Sequence, residues 1–338
     1  MQYLKEVRDT LIRLEQRRDT LRDEVRSKSE LLAKLSAPSV ILSDKSPISA
    51  KMRACFYLRT ENTDAAAKSL AQVVRKKGES VLLRHEAGYC LGQMKNNVIV
   101  QDLMDVLADK SDDSIVRHEC AEALGAIGNE ICIPILKQIV ADVTESREVK
   151  ETCDIALDRF KDVIAMGKNI SAGEEDGFNT VDPAIVTDIK GEIPISTLEE
   201  ALNSDSNPLY ERYRAMFSLR NRAINAKTEQ ERTEAVLAIA KSLMNNNQGA
   251  LFRHEVAFVL GQLSHEASVP YLKQALDDVS LHEMVRHESA EALGGIGTDE
   301  ALEILKQYLA DAKEARIVRE SCEVALDAVE YWKQFESK

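Results

Sequence analysis

Four copies of the tripeptide Arg-His-Glu stand in the chain, each inside a larger unit that recurs along the sequence. RHEAGYCLGQ (84–93) and RHECAEALGA (117–126) are 33 positions apart, and steps of the same length reach KMRACFYL (51–58) and KETCDIAL (150–157). RYRAMFSL (212–219), RHEVAFVL (253–260), RHESAEAL (286–293) and RESCEVAL (319–326) repeat the pattern in the second half. A unit this short cannot bury an apolar face by itself. It must stack on copies of itself, which restricts the chain to a repeat architecture.

The unit reads as a helix. Each opens on Arg or Lys and carries Leu seven positions later. The third position after the basic residue is slim: Ala54, Ala87, Cys120, Cys153, Ala215, Val256, Ser289 and Cys322. These two positions share one helix face, as tight packing between stacked helices requires. A second apolar segment accompanies the unit, as in CIPILKQIV (132–140) and ALEILKQYL (301–309). Gly in GAIGNE and GGIGTDE marks helix ends, and Asp112, Asp113 and Ser114 form an N-cap cluster before Ile115. Two helices per repeat predict an all-α, HEAT-like α-solenoid of eight helical-hairpin repeats. Sparse aromatic residues, at 5%, agree with that class.

The halves are pseudo-symmetric, because His85 and His254, like His118 and His287, are 169 residues apart. An insertion in the second half falls around Asn221 to Glu234. The expected organisation is an N-terminal helix over 1–49, a first half over 50–166, an acidic linker over 167–207 and a second half over 208–338. The linker contains SAGEEDGFNTVDP and reads as exposed. In the first segment Leu4, Val7, Leu11, Leu14, Leu21, Val25, Leu32 and Leu35 follow heptad spacing, interrupted at Arg18 and Lys28. Such an amphipathic helix serves either to cap the solenoid or to dimerise the chain.

Charge narrows the partners. A net charge of −13 argues against binding nucleic acid through its phosphates and favours a basic partner, such as a lysine-rich protein segment or an amine. No apolar run is long enough to span a bilayer, and no signal peptide opens the sequence. The six cysteines lack CxxC spacing and suit buried thiols in a reducing, cytoplasmic setting.

The chemistry lies in the His-Glu pairs. His85-Glu86, His118-Glu119, His254-Glu255 and His287-Glu288 occupy one repeat position, whereas the outer repeats carry Met52-Arg53, Glu151-Thr152, Tyr213-Arg214 and Glu320-Ser321 there. The scaffold persists without the pair, so the pair is not a folding requirement. Stacking brings adjacent pairs together, and facing halves would gather all four. Imidazole with carboxylate suits Fe(II), Mn(II) or Zn(II), and four of each are enough for two ions. His265 and His282 match no repeat position and read as surface residues.

Together with LGQM (91–94), LGQL (260–263), EALGAIG and EALGGIG, these pairs make residues 50 to 335 resemble the deoxyhypusine hydroxylase family of HEAT-repeat di-iron monooxygenases. The resemblance implies hydroxylation of the deoxyhypusine side chain of eukaryotic translation initiation factor 5A, with dioxygen as co-substrate. It implies one iron on His85, His118 and Glu119, and another on His254, His287 and Glu288. Glu86 and Glu255 would then face the substrate amine. The N-terminal heptad segment lies outside the resemblance. A non-catalytic HEAT scaffold and a two-metal enzyme of another class are the competing readings.

Overall fold

The computed structural model describes residues 36–166, 178, 180–186, 188 and 191–333. Most of the N-terminal heptad segment, residues 1–35, lies outside them, so neither capping nor dimerisation by it is addressed.

Among the described residues there is no strand. Residues 36–41 are helical and precede α1 (Ile48–Glu61). The first half continues through α2 (Asp64–Arg75), α3 (Val81–Met94), α4 (Val100–Ala108), α5 (Ser114–Ile127), α6 (Ile133–Ala141) and α7 (Arg147–Ala165). The second contains α8 (Ile195–Asn203), α9 (Leu209–Ile224), α10 (Glu229–Leu243), α11 (Ala250–Leu263), α12 (Val269–Asp277), α13 (Glu283–Ile296), α14 (Asp299–Ala310) and α15 (Arg316–Lys333). Each repeat unit seen in the sequence is an odd-numbered, inner helix, and from α3 onward the even-numbered helix before it packs on its outside.

Local signals set the helix ends. Ser80, Asp113 and Thr298 side chains accept the backbone N–H of Leu83, Ile115 and Ala301 at the starts of α3, α5 and α14. Gly128 and Gly297 close α5 and α13 at φ 74° and 66°, a conformation that costs glycine little. The slim third position lets inner helices approach, and all eight of these residues are buried. All six cysteines are buried and unbonded.

In three of the four motifs the Arg is a structural tie. Arg84 donates from Nε to the Val74 carbonyl at 2.8 Å and pairs bidentately with Asp112 in the loop before α5. Arg117 does the same with Leu107 and Glu145, and Arg286 with Leu276 and Glu314. Each guanidinium ties an inner helix to its outer partner and to the next repeat through charge-assisted bonds.

The two halves face each other and close. α15 packs on α1 through the Arg53–Asp327 ion pair and a Tyr57–Tyr331 hydroxyl contact of 2.9 Å. On the other side α7 meets α9, where Tyr210 donates to Asp162 at 2.9 Å and Arg214 pairs with it at 3.1 Å. The inner helices therefore form a ring.

Two expectations need correction. Helix α8 falls inside the stretch read as linker and is the outer partner of α9, with Leu198 and Leu202 buried. Val181, Ala184 and Asp188 of the same stretch are also buried rather than exposed. His265 is not a surface residue. It is 7% exposed, contacts Glu229 at 2.8 Å and accepts the Ala267 N–H as a helix cap, a use that any Asn or Ser could share and that no repeat spacing reveals. His282 is exposed, as expected, and caps α13.

Candidate metal centre

The four Arg-His-Glu helices, α3, α5, α11 and α13, line the middle of the ring and are buried nearly all round. Three layers follow from their common register. Leu82, Ile115, Leu251 and Met284, each three residues before a histidine, join one apolar cluster that forms a floor. One turn further along stand the histidines. Four residues beyond them come Tyr89, Glu122, Phe258 and Glu291, which line a cavity of about 200 Å³ above the rings.

The ring brings all four sequence-singled pairs together. Centroids of His85 and His118 are 5.3 Å apart, those of His254 and His287 5.5 Å, and those of His85 and His287 across the halves 5.2 Å. Glu119 Oε2 lies 3.2 Å from His85 Nε2, and Glu288 Oε2 lies 3.3 Å from His254 Nε2. His254, His287 and Glu288 place donor atoms within 4.8 Å of one another, as do His85, His118 and His254. Glu86 and Glu255 also line the cavity, and Glu86 Oε1 is 3.2 Å from His85 Nδ1. Gly88 makes room for Glu119: a Cβ there would fall 2.9 Å from Glu119 Cγ.

The electrostatics are those of a ligand cluster. Burial, reinforced by the neighbouring imidazoles, pushes His118, His254 and His287 well below the usual imidazole range, so they are neutral and their lone pairs available. Burial also opposes a charge on His85, but the Glu119 and Glu86 carboxylates outweigh it and hold this ring well above that range. Burial raises Glu86, with Glu291 adding to it, and raises Glu255 well above the carboxylate range, with Glu122 adding most among its neighbours. Glu288 is likewise held high by burial and Glu291. Six carboxylates facing one small cavity need cationic partners to ionise together.

A metal ion fits these atoms. Seven of the eight ring nitrogens, all but His85 Nδ1, are buried without a hydrogen-bond partner among the described residues. Leaving one buried polar group unpaired costs about 1–3 kcal/mol. Coordination satisfies such nitrogens, and the two adjacent His-Glu sets match a pair of ions bound by imidazole and carboxylate.

Glu122 and Glu291 were not singled out from the sequence. Burial, with Glu119 adding to it, pushes Glu122 up to about 8. Glu291 accepts from Ser321 Oγ at 2.9 Å and stands 3.5 Å from His287 Nδ1. The available signal was positional: of the eight units, only these two carry Glu four residues after the histidine position.

Comparison with known proteins agrees with the fold. A family model for HEAT repeats matches residues 67–158 and 238–327. A curated protein of Aspergillus clavatus, named deoxyhypusine hydroxylase, is 41% identical over 253 residues, covering 72% of this chain and 74% of that protein. One of Danio rerio with the same name is 42% identical over 294 residues, covering 87% and 90%. The solved structure of human deoxyhypusine hydroxylase in complex with glycerol is similar at a TM-score of 0.78 and 42% identity, covering 91% of this chain and 99% of that one.

Proposed function

The chain belongs to the deoxyhypusine hydroxylase family, and from that premise we propose which of its residues carry the reaction. The chain is an enzyme that hydroxylates deoxyhypusine. We assign His85, His118 and Glu119 to one iron ion and His254, His287 and Glu288 to a second. When bound, the ions supply activation of dioxygen, the co-substrate. The observation that carries this reading is the set of buried imidazole nitrogens that have no partner in the described protein.

The remaining work belongs to the protein. The apolar floor of Leu82, Ile115, Leu251 and Met284 closes the cavity from below and keeps bulk water from the ligand layer. Glu86 and Glu255 receive the cationic amines of the substrate and so hold its carbon chain over the histidines. The protein substrate is taken to be the deoxyhypusine form of eukaryotic translation initiation factor 5A, for which a net charge of −13 favours a basic segment. We place the reaction in the cytoplasm, where six buried free thiols remain reduced; no described helix is long and apolar enough to cross a membrane.

Elemental analysis of the purified chain, together with aerobic turnover of a deoxyhypusine-containing peptide followed by mass spectrometry, tests the assignment. Two irons per chain and an oxygen-dependent gain of one oxygen atom are expected. Turnover with zinc alone, or without dioxygen, would overturn it.

A further inference from the structure

The two halves begin on equivalent inner helices, and their sequences, KMRACFYLR (51–59) and RYRAMFSLR (212–220), place Phe56 opposite Phe217 and Arg59 opposite Arg220 under the pseudo-twofold. The structure treats these equivalents differently. Phe56 is 39% exposed and lines the cavity mouth with Arg59, whose guanidinium lies 5.6 Å from the centre of the Tyr89 ring. Phe217 and Arg220 are both 0% exposed, and neither reaches the cavity.

The difference comes from residues 180–186, between the halves. Asp182 pairs bidentately with Arg220, at 2.9 and 2.6 Å, and Arg220 also donates to Gln262 at 2.9 Å. Gln93, the pseudo-equivalent of Gln262, accepts the Val181 N–H at 2.7 Å and donates to the Val181 carbonyl at 3.4 Å. Arg159 donates to the Asp182 carbonyl at 3.0 Å, and Pro183 lines a small cavity together with Glu122. The Gln of each LGQ motif thus helps pin this segment across the top of the ring, where it is bonded to α3, α7 and α9 directly and to α11 through Arg220. Among the described residues, what stays open is the side of α1, where Phe56 is 39% exposed.

The carboxylates divide along the same line. Glu86 of α3 and Glu291 of α13 line the cavity together with Phe56 and Arg59, and Arg59 lies over Tyr89, one turn from Glu86 on α3. Glu255 of α11 and Glu122 of α5 line the same cavity, Glu122 also lines a second small cavity with Pro183, and α11 is tied to Asp182 through Gln262 and Arg220. Deoxyhypusine presents two amines, one within the chain and one at its tip, joined by a short run of methylene carbons.

Resting on the functional reading above, we propose that residues 180–186 seal one of two pseudo-symmetric entrances, so that the substrate side chain enters only past Phe56 and Arg59. Its inner amine then meets Glu86 and Glu291, and its terminal amine meets Glu255 and Glu122. The deep pair is the device that separates deoxyhypusine from an ordinary lysine, which carries no second amine to reach it.

Two measurements on the full metal-loaded chain test this. In the first, Phe56→Cys and Thr180→Cys are each coupled to a bulky maleimide, the six native thiols being buried, and then treated with a water-soluble carbodiimide and glycinamide. Mass spectrometry should find Glu86 and Glu255 protected by the adduct at 56 and still modified with the adduct at 180. Protection by the adduct at 180, or by neither, overturns the single entrance. In the second, binding of a deoxyhypusine peptide and its lysine counterpart is compared. Glu86→Gln should weaken both by about tenfold or more, whereas Glu255→Gln should weaken only the deoxyhypusine peptide to that degree. Equal losses on the lysine peptide overturn the order of the two sites. If the unaltered chain fails to prefer the deoxyhypusine peptide, the substrate assignment fails instead, and the labelling result still decides the entrance.

Discussion

Glu119 Oε2 reaches back across a repeat boundary to lie 3.2 Å from His85 Nε2. The carboxylate of the second pair therefore serves with the histidine of the first, and Glu288 stands in the same relation to His254 at 3.3 Å. Adjacent repeats must be stacked before either proposed ligand set exists. Metal binding is consequently coupled to the packing of α3 on α5 and of α11 on α13.

That division separates two kinds of glutamate. His118→Ala removes a proposed ligand and is expected to leave at most one iron per chain, while Glu86→Ala is expected to keep both ions and lose most of its affinity for a deoxyhypusine peptide. Metal analysis beside calorimetric titration distinguishes them. Equal loss of iron in both variants would show that Glu86 is a ligand too.

Metal affinity should also respond to a residue with no donor atom. Because a Cβ at Gly88 would sit 2.9 Å from Glu119 Cγ, Gly88→Val pushes the Glu119 side chain off its position. The expected result is iron binding weakened by about 10-fold or more with the helical content intact, the size typical when a ligand's support is disturbed. Unchanged iron affinity would mean that Glu119 can be displaced without cost.

The ring could be foreseen only in part. The repeat pitch, the inner helices and the four His-Glu pairs were legible because stacking forces equivalent residues into register, and a register is a sequence property. Glu122 and Glu291 escaped notice because EALG fits the packing pattern of a generic repeat helix; only its confinement to two of eight units marks it. The burial of Val181 and Ala184 was hidden for a different reason. Acidic, glycine-bearing neighbours read as solvent-exposed, and the partners that bury this segment, Gln93, Arg159 and Arg220, are far away in the chain.

The motif arginines should differ in their worth to the fold. Arg286 bonds the Leu276 carbonyl and pairs with Glu314, both side chains being buried. Arg286→Ala leaves that carboxylate uncompensated, an expected loss of about 3–5 kcal/mol in denaturant unfolding. Arg253, its counterpart one repeat earlier, has Nε and Nη2 buried without a hydrogen-bond partner among the described residues. Arg253→Ala should therefore cost clearly less. The reverse ranking would contradict the stapling role.

The metal-free chain should lose stability as pH rises through neutrality. Glu122 has its carboxyl raised from 4.5 to about 8 by burial and by Glu119, so its stabilising term is complete below 4.5 and disappears as pH climbs toward about 8. Glu255 and Glu288, raised well above the usual range by burial, and His85, held high by Glu119 and Glu86 against its burial, act in the same direction. His118, His254 and His287 are depressed, and their term is lost only as pH falls below 6.5. Between pH 6.5 and about 8 the raised groups alone set the slope. Scanning calorimetry of chelator-treated protein across that window is expected to show the melting temperature falling by a few degrees. Iron-loaded protein should show a flatter or opposite trend, because a cation replaces the protons these carboxylates would otherwise hold. Glu122→Gln should reduce the slope of the metal-free chain, and a melting temperature that rises with pH in that form would refute the assignment of neutral, protonated carboxyls to the empty site.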